Sequence, residues 1–205
     1  MKRNMILFST LPIIFLFSIA SGATLTDVWK DENYRGGPFK KVFVMAALPD
    51  PVIKSIIEDE VVRQLEVHWT DSVKSSTLFF SSHFISDKES ITSKIRELKA
   101  EAVLVMKFIK VENEGIYVPR GKFIIPTLYY DWYSFYSSGF KYINTPAYKD
   151  DNYFALIETT IYDTKDEKLV WFARTSVEKV YCGCQEILPF IKVVINKLSS
   201  DQLIK

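Results

Sequence analysis

The side chains able to do chemistry are few. Cys182-Gly183-Cys184 places two thiols one residue apart. A bridge across a single residue is strained and easily reduced. A disulfide between Cys182 and Cys184, pairing between two chains, and a thiol redox or metal role all remain open readings. Two ligands alone do not close a tetrahedral zinc site. His68 and His83 are the only histidines, one at a helix end and one in a loop, and read as ordinary polar or packing residues. Glu58-Asp59-Glu60 offers adjacent carboxylates, but three consecutive helical residues point in different directions, so the expectation is a solvated face. Asp150-Asp151 and Asp163 with Asp166 lie in loops and lack the spaced acceptors and glycine of a calcium loop. There is no G-x-S-x-G elbow, P-loop, G-x-G-x-x-G or H-E-x-x-H. Gly36-Gly37 reads as a turn. No catalytic residue, metal site or cofactor is assigned, and an enzyme is disfavoured.

The remaining candidate is a cluster of rings. Tyr117 to Tyr148 holds eleven of the chain's thirty aromatic residues, among them Tyr129, Tyr130, Trp132, Tyr133, Phe135 and Tyr136. Tyr and Trp combine large area with a polar tip and low side-chain entropy, which suits them to interfaces. Those six residues are the expected contact surface, against the plainer reading that the segment packs its own rings over a sheet. The same rings could stack on a small molecule or cell-wall glycan. Asp131 and Lys141 within the run argue against membrane insertion alone.

The elements that must position these residues follow from 205 residues with 48% apolar and 25% charged content, the composition of a globular protein. Lys plus Arg number 26 against 25 Asp plus Glu, a formal charge of +1, which removes the electrostatic argument for a nucleic-acid partner. Met1-Lys2-Arg3-Asn4, the uncharged run Met5 to Ala20 and the small residues Ser21-Gly22-Ala23 have the three parts of a secretory signal peptide. The run falls short of the ~20 apolar residues of a membrane-spanning helix and contains Pro12. The expectation is cleavage near Ala23 and a periplasmic or secreted product. With no cysteine at the cut, no bacterial lipid anchor is expected.

Residues 24–205 read as one α/β domain. Lys41 to Ala47 and Ala102 to Ile109 are nearly continuous apolar runs, as for strands covered on both faces. Asp50-Pro51 starts a helix whose stripe is Ile53, Ile56, Ile57, Val61, Leu65 and Trp69. Thr77 to Phe80 suggests a short strand. Ser86 to Glu89 has capping-box spacing, ahead of a helix burying Ile91, Ile95 and Leu98. Phe154 to Asp163 and Lys168 to Val180 read as a hairpin, the second strand burying its odd positions and, from the middle onward, wetting the even positions Arg174, Ser176 and Glu178. Ile191, Val194, Ile195 and Leu198 give a last amphipathic helix. The expected architecture is a single mixed β-sheet packed by about three helices, in two or three layers, with residues 117–148 a long aromatic insertion between strands.

Trp29-Lys30-Asp31, Tyr34, Gly37 and Lys41-Val42-Phe43-Val44 resemble the "W-K-D-x-x-Y…G-x-x-x-K-V-x-V" opening of a group of uncharacterised bacterial envelope proteins, many of them lipoproteins. Lys99 to Val105 is similar to their "A-D-A-V-L-V" strand, and Tyr162-Asp163 with Lys168 to Trp171 to their "Y-D-x-x-T-G-K-L-V-W" hairpin. That group looks related in fold to the TolB amino-terminal domain and to periplasmic domains of the curli secretion channel and of the penicillin-binding-protein activator lipoprotein. The resemblance implies an α/β sandwich used for envelope interactions. The partners it implies are an envelope protein or a second copy, with peripheral membrane contact as a further option. Asp166-Glu167 stands where those hairpins carry Thr-Gly.

Overall fold

A computed structural model describes residues 23–48, 50–78, 87–111, 131–139, 154–178 and 188–205. Residues 1–22 of the expected leader, His83, Tyr129, Tyr130, Asp150, Asp151, Cys182 and Cys184 lie outside the described residues; Ala23, at the expected cut, is described and buried.

Six strands form one mixed sheet in the order β1-β6-β5-β4-β2-β3. They are β1 Ala23–Lys30, β2 Lys41–Ala47, β3 Asp71–Lys74, β4 Ala102–Val111, β5 Phe154–Asp163 and β6 Leu169–Glu178. β2 runs parallel to both β3 and β4, while β4-β5, β5-β6 and β6-β1 are antiparallel. The helices are α1 Pro51–Val67, α2 Lys88–Glu97, α3 Trp132–Gly139 and α4 Leu188–Ser200.

The period-2 geometry of a strand sends alternate side chains to opposite faces, and both faces are covered. Val42, Val44, Ala46, Leu104, Met106, Ile157, Ile161 and Trp171 meet Ile57, Val61 and Leu65 of α1 and Ile191, Val194, Ile195 and Leu198 of α4. Phe43, Met45, Val103, Val105, Tyr162 and Phe172 meet Ile91 and Ile95 of α2 and Trp132, Phe135 and Tyr136 of α3. The result is a three-layer α/β/α sandwich. It has four helices where about three were expected, because part of the aromatic insertion is itself helical.

The start of α1 follows its sequence: the Asp50 carboxylate accepts the N–H groups of Val52 and Ile53, and Pro51 occupies the first turn. α2 is capped by Asp87, which accepts the Ser90 N–H, rather than by the expected Ser86, which lies outside the described residues. Of the strand expected at Thr77 to Phe80, Thr77 closes a 3₁₀ turn, Ser75–Thr77, and Leu78 follows it, while Phe79 and Phe80 lie outside the described residues; the short strand β3 precedes that turn. In β6, Arg174 and Ser176 are half-buried between the buried Ala173, Thr175 and Val177, and Phe172 before them is fully buried. Trp69 does not join the α1 stripe; it stands beyond the helix end, exposed.

Three helices close with the same hydrogen-bond pattern. Thr70 N–H bonds back to Leu65 C=O, Ala100 N–H to Ile95 C=O and Leu203 N–H to Leu198 C=O. These are the outer bonds of Schellman motifs, which place one residue in the left-handed region. That residue is Trp69 (φ 56°), Lys99 (φ 54°) and Gln202 (φ 60°), with no glycine at any of the three.

Candidate functional site

Register builds the densest group of buried charges. Lys107 of β4 lies opposite Glu158 of β5, Glu158 opposite Arg174 of β6, and Arg174 opposite Asp27 of β1. Directly opposed residues share a face, so the four form one row across four strands, alternating in sign. Lys107 Nζ lies 2.9 Å from Glu158 Oε2, Arg174 Nη2 donates to Glu158 Oε1 at 2.7 Å, and Arg174 Nη1 to Asp27 Oδ2 at 3.3 Å. The Lys107 and Glu158 side chains are 5% and 1% exposed, so this pair works in a low dielectric.

Helix α3 covers the Lys107 end of the row. Lys107 Nζ sits 4.3 Å from the centroid of the Phe135 ring, a cation–π contact. A Cβ built on Gly139, the last residue of α3, would lie 2.5 Å from Ala47 Cβ and 3.1 Å from Lys107 Cγ. Glycine there lets the helix end settle against β2 and β4. The Asp131 carboxylate accepts the N–H groups of Tyr133 and Ser134, which starts the helix, and lies 3.4 Å from Lys88 Nζ of α2.

A second buried carboxylate sits on the other side of the sheet end. Glu58, expected to be solvated, is fully buried. Its Oε1 accepts the Ala46 N–H at 2.9 Å and the Ser75 hydroxyl at 2.7 Å, and its Oε2 accepts the Ser76 N–H at 2.8 Å. The last β2-β3 pair is Val44 with Lys74. Beyond it, Glu58 supplies the acceptor that a continued strand would have offered. Lys54, one helical turn earlier, lies 3.9 Å from Glu58 and donates to the Tyr136 hydroxyl of α3 at 3.2 Å. Burial pushes the Lys54 ammonium below its ordinary pKa, and the Glu58 charge opposes that shift. Burial also pushes the Tyr136 phenol well above its ordinary value, with Glu58 adding to it.

Chemically, these groups hold charge and geometry. Each cation named here faces a carboxylate or a ring, and each carboxylate accepts from neighbouring donors. Among the described residues, no three His, Cys, Asp or Glu side chains converge to hold a metal ion.

The aromatic residues expected at a contact surface are divided by the structure. Trp132, Phe135 and Tyr136 are buried against the sheet, so for these three the expectation is corrected: their rings form core in this state. Tyr133 is half-buried and stacks edge-on with Trp132, ring centroids 5.7 Å apart. Tyr129 and Tyr130 lie outside the described residues, as do Cys182 and Cys184. His68 Nδ1 sits 3.0 Å from the Lys205 carbonyl oxygen, a structural contact at the chain's end. The feature that sequence reasoning missed is the charged row, whose four members are spread over residues 27–174 and joined only by strand register.

The class defined by this fold is an α/β/α sandwich on a mixed sheet. No protein-family model matches the chain, and no curated protein matches it by sequence. Among solved structures it is similar to the PelC dodecamer from Paraburkholderia phytofirmans, with TM-score 0.44 and 13% identity over 84% of this chain and 95% of that one. A variant of that dodecamer gives TM-score 0.43 and 12% identity over 84% and 94%. A lipoprotein from Neisseria meningitidis gives TM-score 0.41 and 11% identity over 78% of this chain and 98% of that one.

Proposed function

We propose that the chain is an exported, non-enzymatic protein of the bacterial envelope that works by protein contact, with another envelope protein or with a second copy of itself. The observation that carries this reading is Trp69, which is 84% exposed and stands beside Val67, itself 63% exposed. Its backbone is left-handed, a conformation that costs a bulky L-residue about 1 kcal/mol or more relative to the usual helical region. A glycine would relieve that cost. Lys99 and Gln202 share that backbone at their helix ends, so what singles out Trp69 is an exposed indole, a side chain enriched at interface hot spots, beside a second exposed apolar residue. The basic start, apolar run and small residues of Met1 to Ala23 support export. Among the described residues no helix is long and apolar enough to cross a membrane.

The test uses protein made from the full chain and recovered from the periplasm. Light scattering and chemical cross-linking are expected to show a species heavier than one chain, and its amino terminus is expected near Thr24. Trp69→Gly is expected to raise stability by about 1 kcal/mol in urea unfolding, because it releases backbone strain, while lowering the yield of the heavier species. A monomer that cross-links to nothing, or a Trp69→Gly protein that assembles like wild type, would overturn the contact reading.

A further inference from the structure

A cleft opens where three elements meet: Thr92, Ile95 and Arg96 of α2, Trp132 at the start of α3, and Thr164 and Glu167 of the β5-β6 turn. Thr92, Ile95 and Arg96 stand at i, i+3 and i+4, so one edge of α2 supplies a buried apolar residue with a polar one on each side. The turn is fixed beside the start of β4 by Thr164, whose N–H bonds to the Glu101 carbonyl at 3.0 Å and whose hydroxyl donates to the Ala100 carbonyl at 2.8 Å. The cleft holds about 70 Å³, well below the ~300–1,000 Å³ of a drug-sized site. Its occupant is a small group, or the tip of a larger one.

Buried polar groups find hydrogen-bond partners, so the groups without one say what chemistry the cleft lacks. Glu167 is already engaged, its Oε2 accepting from Lys88 Nζ at 2.7 Å. Lys88 also lies 3.4 Å from Asp131, so the acidic side of the cleft is neutralised. Three donors stay unspent. The Thr92 hydroxyl is buried without a partner. Trp132 is 2% exposed, and its indole N–H has no acceptor among the described residues, whereas the indole N–H of Trp171 donates to Asp201 at 2.8 Å. The Arg96 guanidinium, exposed at the rim, faces no carboxylate among the described residues, while its neighbour Glu97 pairs with Lys94.

An occupant that satisfies three donors is an acceptor, and a guanidinium among them selects an anionic one. Two features favour a carboxylate over a phosphate. The buried Ile95 and Ala100 form an apolar wall that suits the carbon carrying the charge, and Glu167 across the cleft disfavours a second negative charge. We infer that the cleft between α2, α3 and the β5-β6 turn binds a carboxylate, held by the Thr92 hydroxyl, the Trp132 indole N–H and the Arg96 guanidinium. A free small carboxylate and the carboxylate of a polypeptide end share this chemistry. The inference does not rest on the contact reading, whose residues lie at the end of α1.

Nuclear magnetic resonance of the full chain, its tryptophans labelled at Nε1, tests this at neutral pH and constant ionic strength. Sodium acetate is expected to move the Trp132 indole signal saturably, with half-saturation at roughly millimolar concentration, the range open to so small a ligand. The Trp171 signal is expected to stay in place. Acetamide, which has the shape without the charge, is expected to bind at least roughly ten-fold more weakly. Thr92→Val, which keeps the volume, and Arg96→Gln are each expected to weaken acetate binding by roughly ten-fold. Thr92→Val removes only a hydroxyl that has no partner, so it is expected to be as stable as wild type and reads the site even where Arg96→Gln fails to fold. A short peptide with a free terminal carboxylate, compared with its amidated form, separates the two sources: tighter binding than acetate, lost on amidation, assigns a polypeptide end, and equal or weaker binding assigns a free small carboxylate. A Trp132 signal that ignores acetate, that follows chloride or acetamide equally well, or that responds to acetate as in wild type in both variants would overturn the inference.

Discussion

Glu158→Ala is expected to destabilise the protein by about 3–5 kcal/mol, the usual cost of removing one partner from a buried ion pair. Glu158 is the shared anion of the row, accepting from Lys107 on one side and Arg174 on the other. Without it Lys107 loses the Glu158 carboxylate and Arg174 keeps Asp27 alone, in a place where desolvation has already been paid. The pair itself need not be strongly stabilising, because burying two charges costs nearly what their attraction returns. The double variant Lys107→Met with Glu158→Leu, which keeps volume and removes both charges, is therefore expected to lose far less than the two single losses added together. Urea unfolding with an unchanged slope measures each variant. A Glu158→Ala loss under about 1 kcal/mol would show that the row is solvated and the account of it wrong.

The second large effect is expected at Glu58. Glu58→Ala removes the acceptor for two backbone N–H groups and one hydroxyl at the end of β2. A buried donor left unsatisfied costs ~1–3 kcal/mol, so a total loss of about 3 kcal/mol is expected. Glu58→Gln keeps the shape but turns an NH₂ toward a donor, and about half that loss is expected. Because Glu58 ends the β2-β3 pairing, exchange at Ser75–Thr77 should rise in the same variants. An alanine variant as stable as wild type would mean that water replaces the carboxylate without cost.

Most elements were legible in the residues. β2, β5 and α4 announce themselves by unbroken apolar runs or helical spacing, and Asp50-Pro51 marks the start of α1 through capping chemistry that needs no tertiary partner. β1 escaped notice because its pairing with β6 shifts register between Leu25 and Asp27, which breaks the alternation a strand is read by. β3 has only four residues, too few for a pattern. α3 did carry a signal: Trp132, Phe135, Tyr136 and Gly139, all buried, fall at i, i+3, i+4 and i+7. With rings this dense along residues 117–148, that period does not stand out from composition.

The site was much less legible, for two physical reasons. Cross-strand register decides which charges meet, and one sequence does not state register; Lys107, Glu158, Arg174 and Asp27 sit in four strands with nothing local to join them. Burial of a carboxylate depends on who donates to it. Glu58 lies in a run of three acidic residues whose neighbours Asp59 and Glu60 pair with Lys74 and Arg63, as a wet face does. Helical phase does separate Glu58 from them, since it stands at i, i+3 and i+7 with Val61 and Leu65 on the buried stripe, and the turn that follows β3 supplies two of its donors.

If the protein works by touching other chains, the exposed end of α1 is where that is most open to direct measurement. A photo-activated cross-linker placed at Val67, two residues before the exposed Trp69, can be triggered in intact cells. The expected result is a discrete adduct heavier than one chain, its yield falling when Trp69→Gly removes the ring. Irradiation that returns only the single chain would contradict the contact reading.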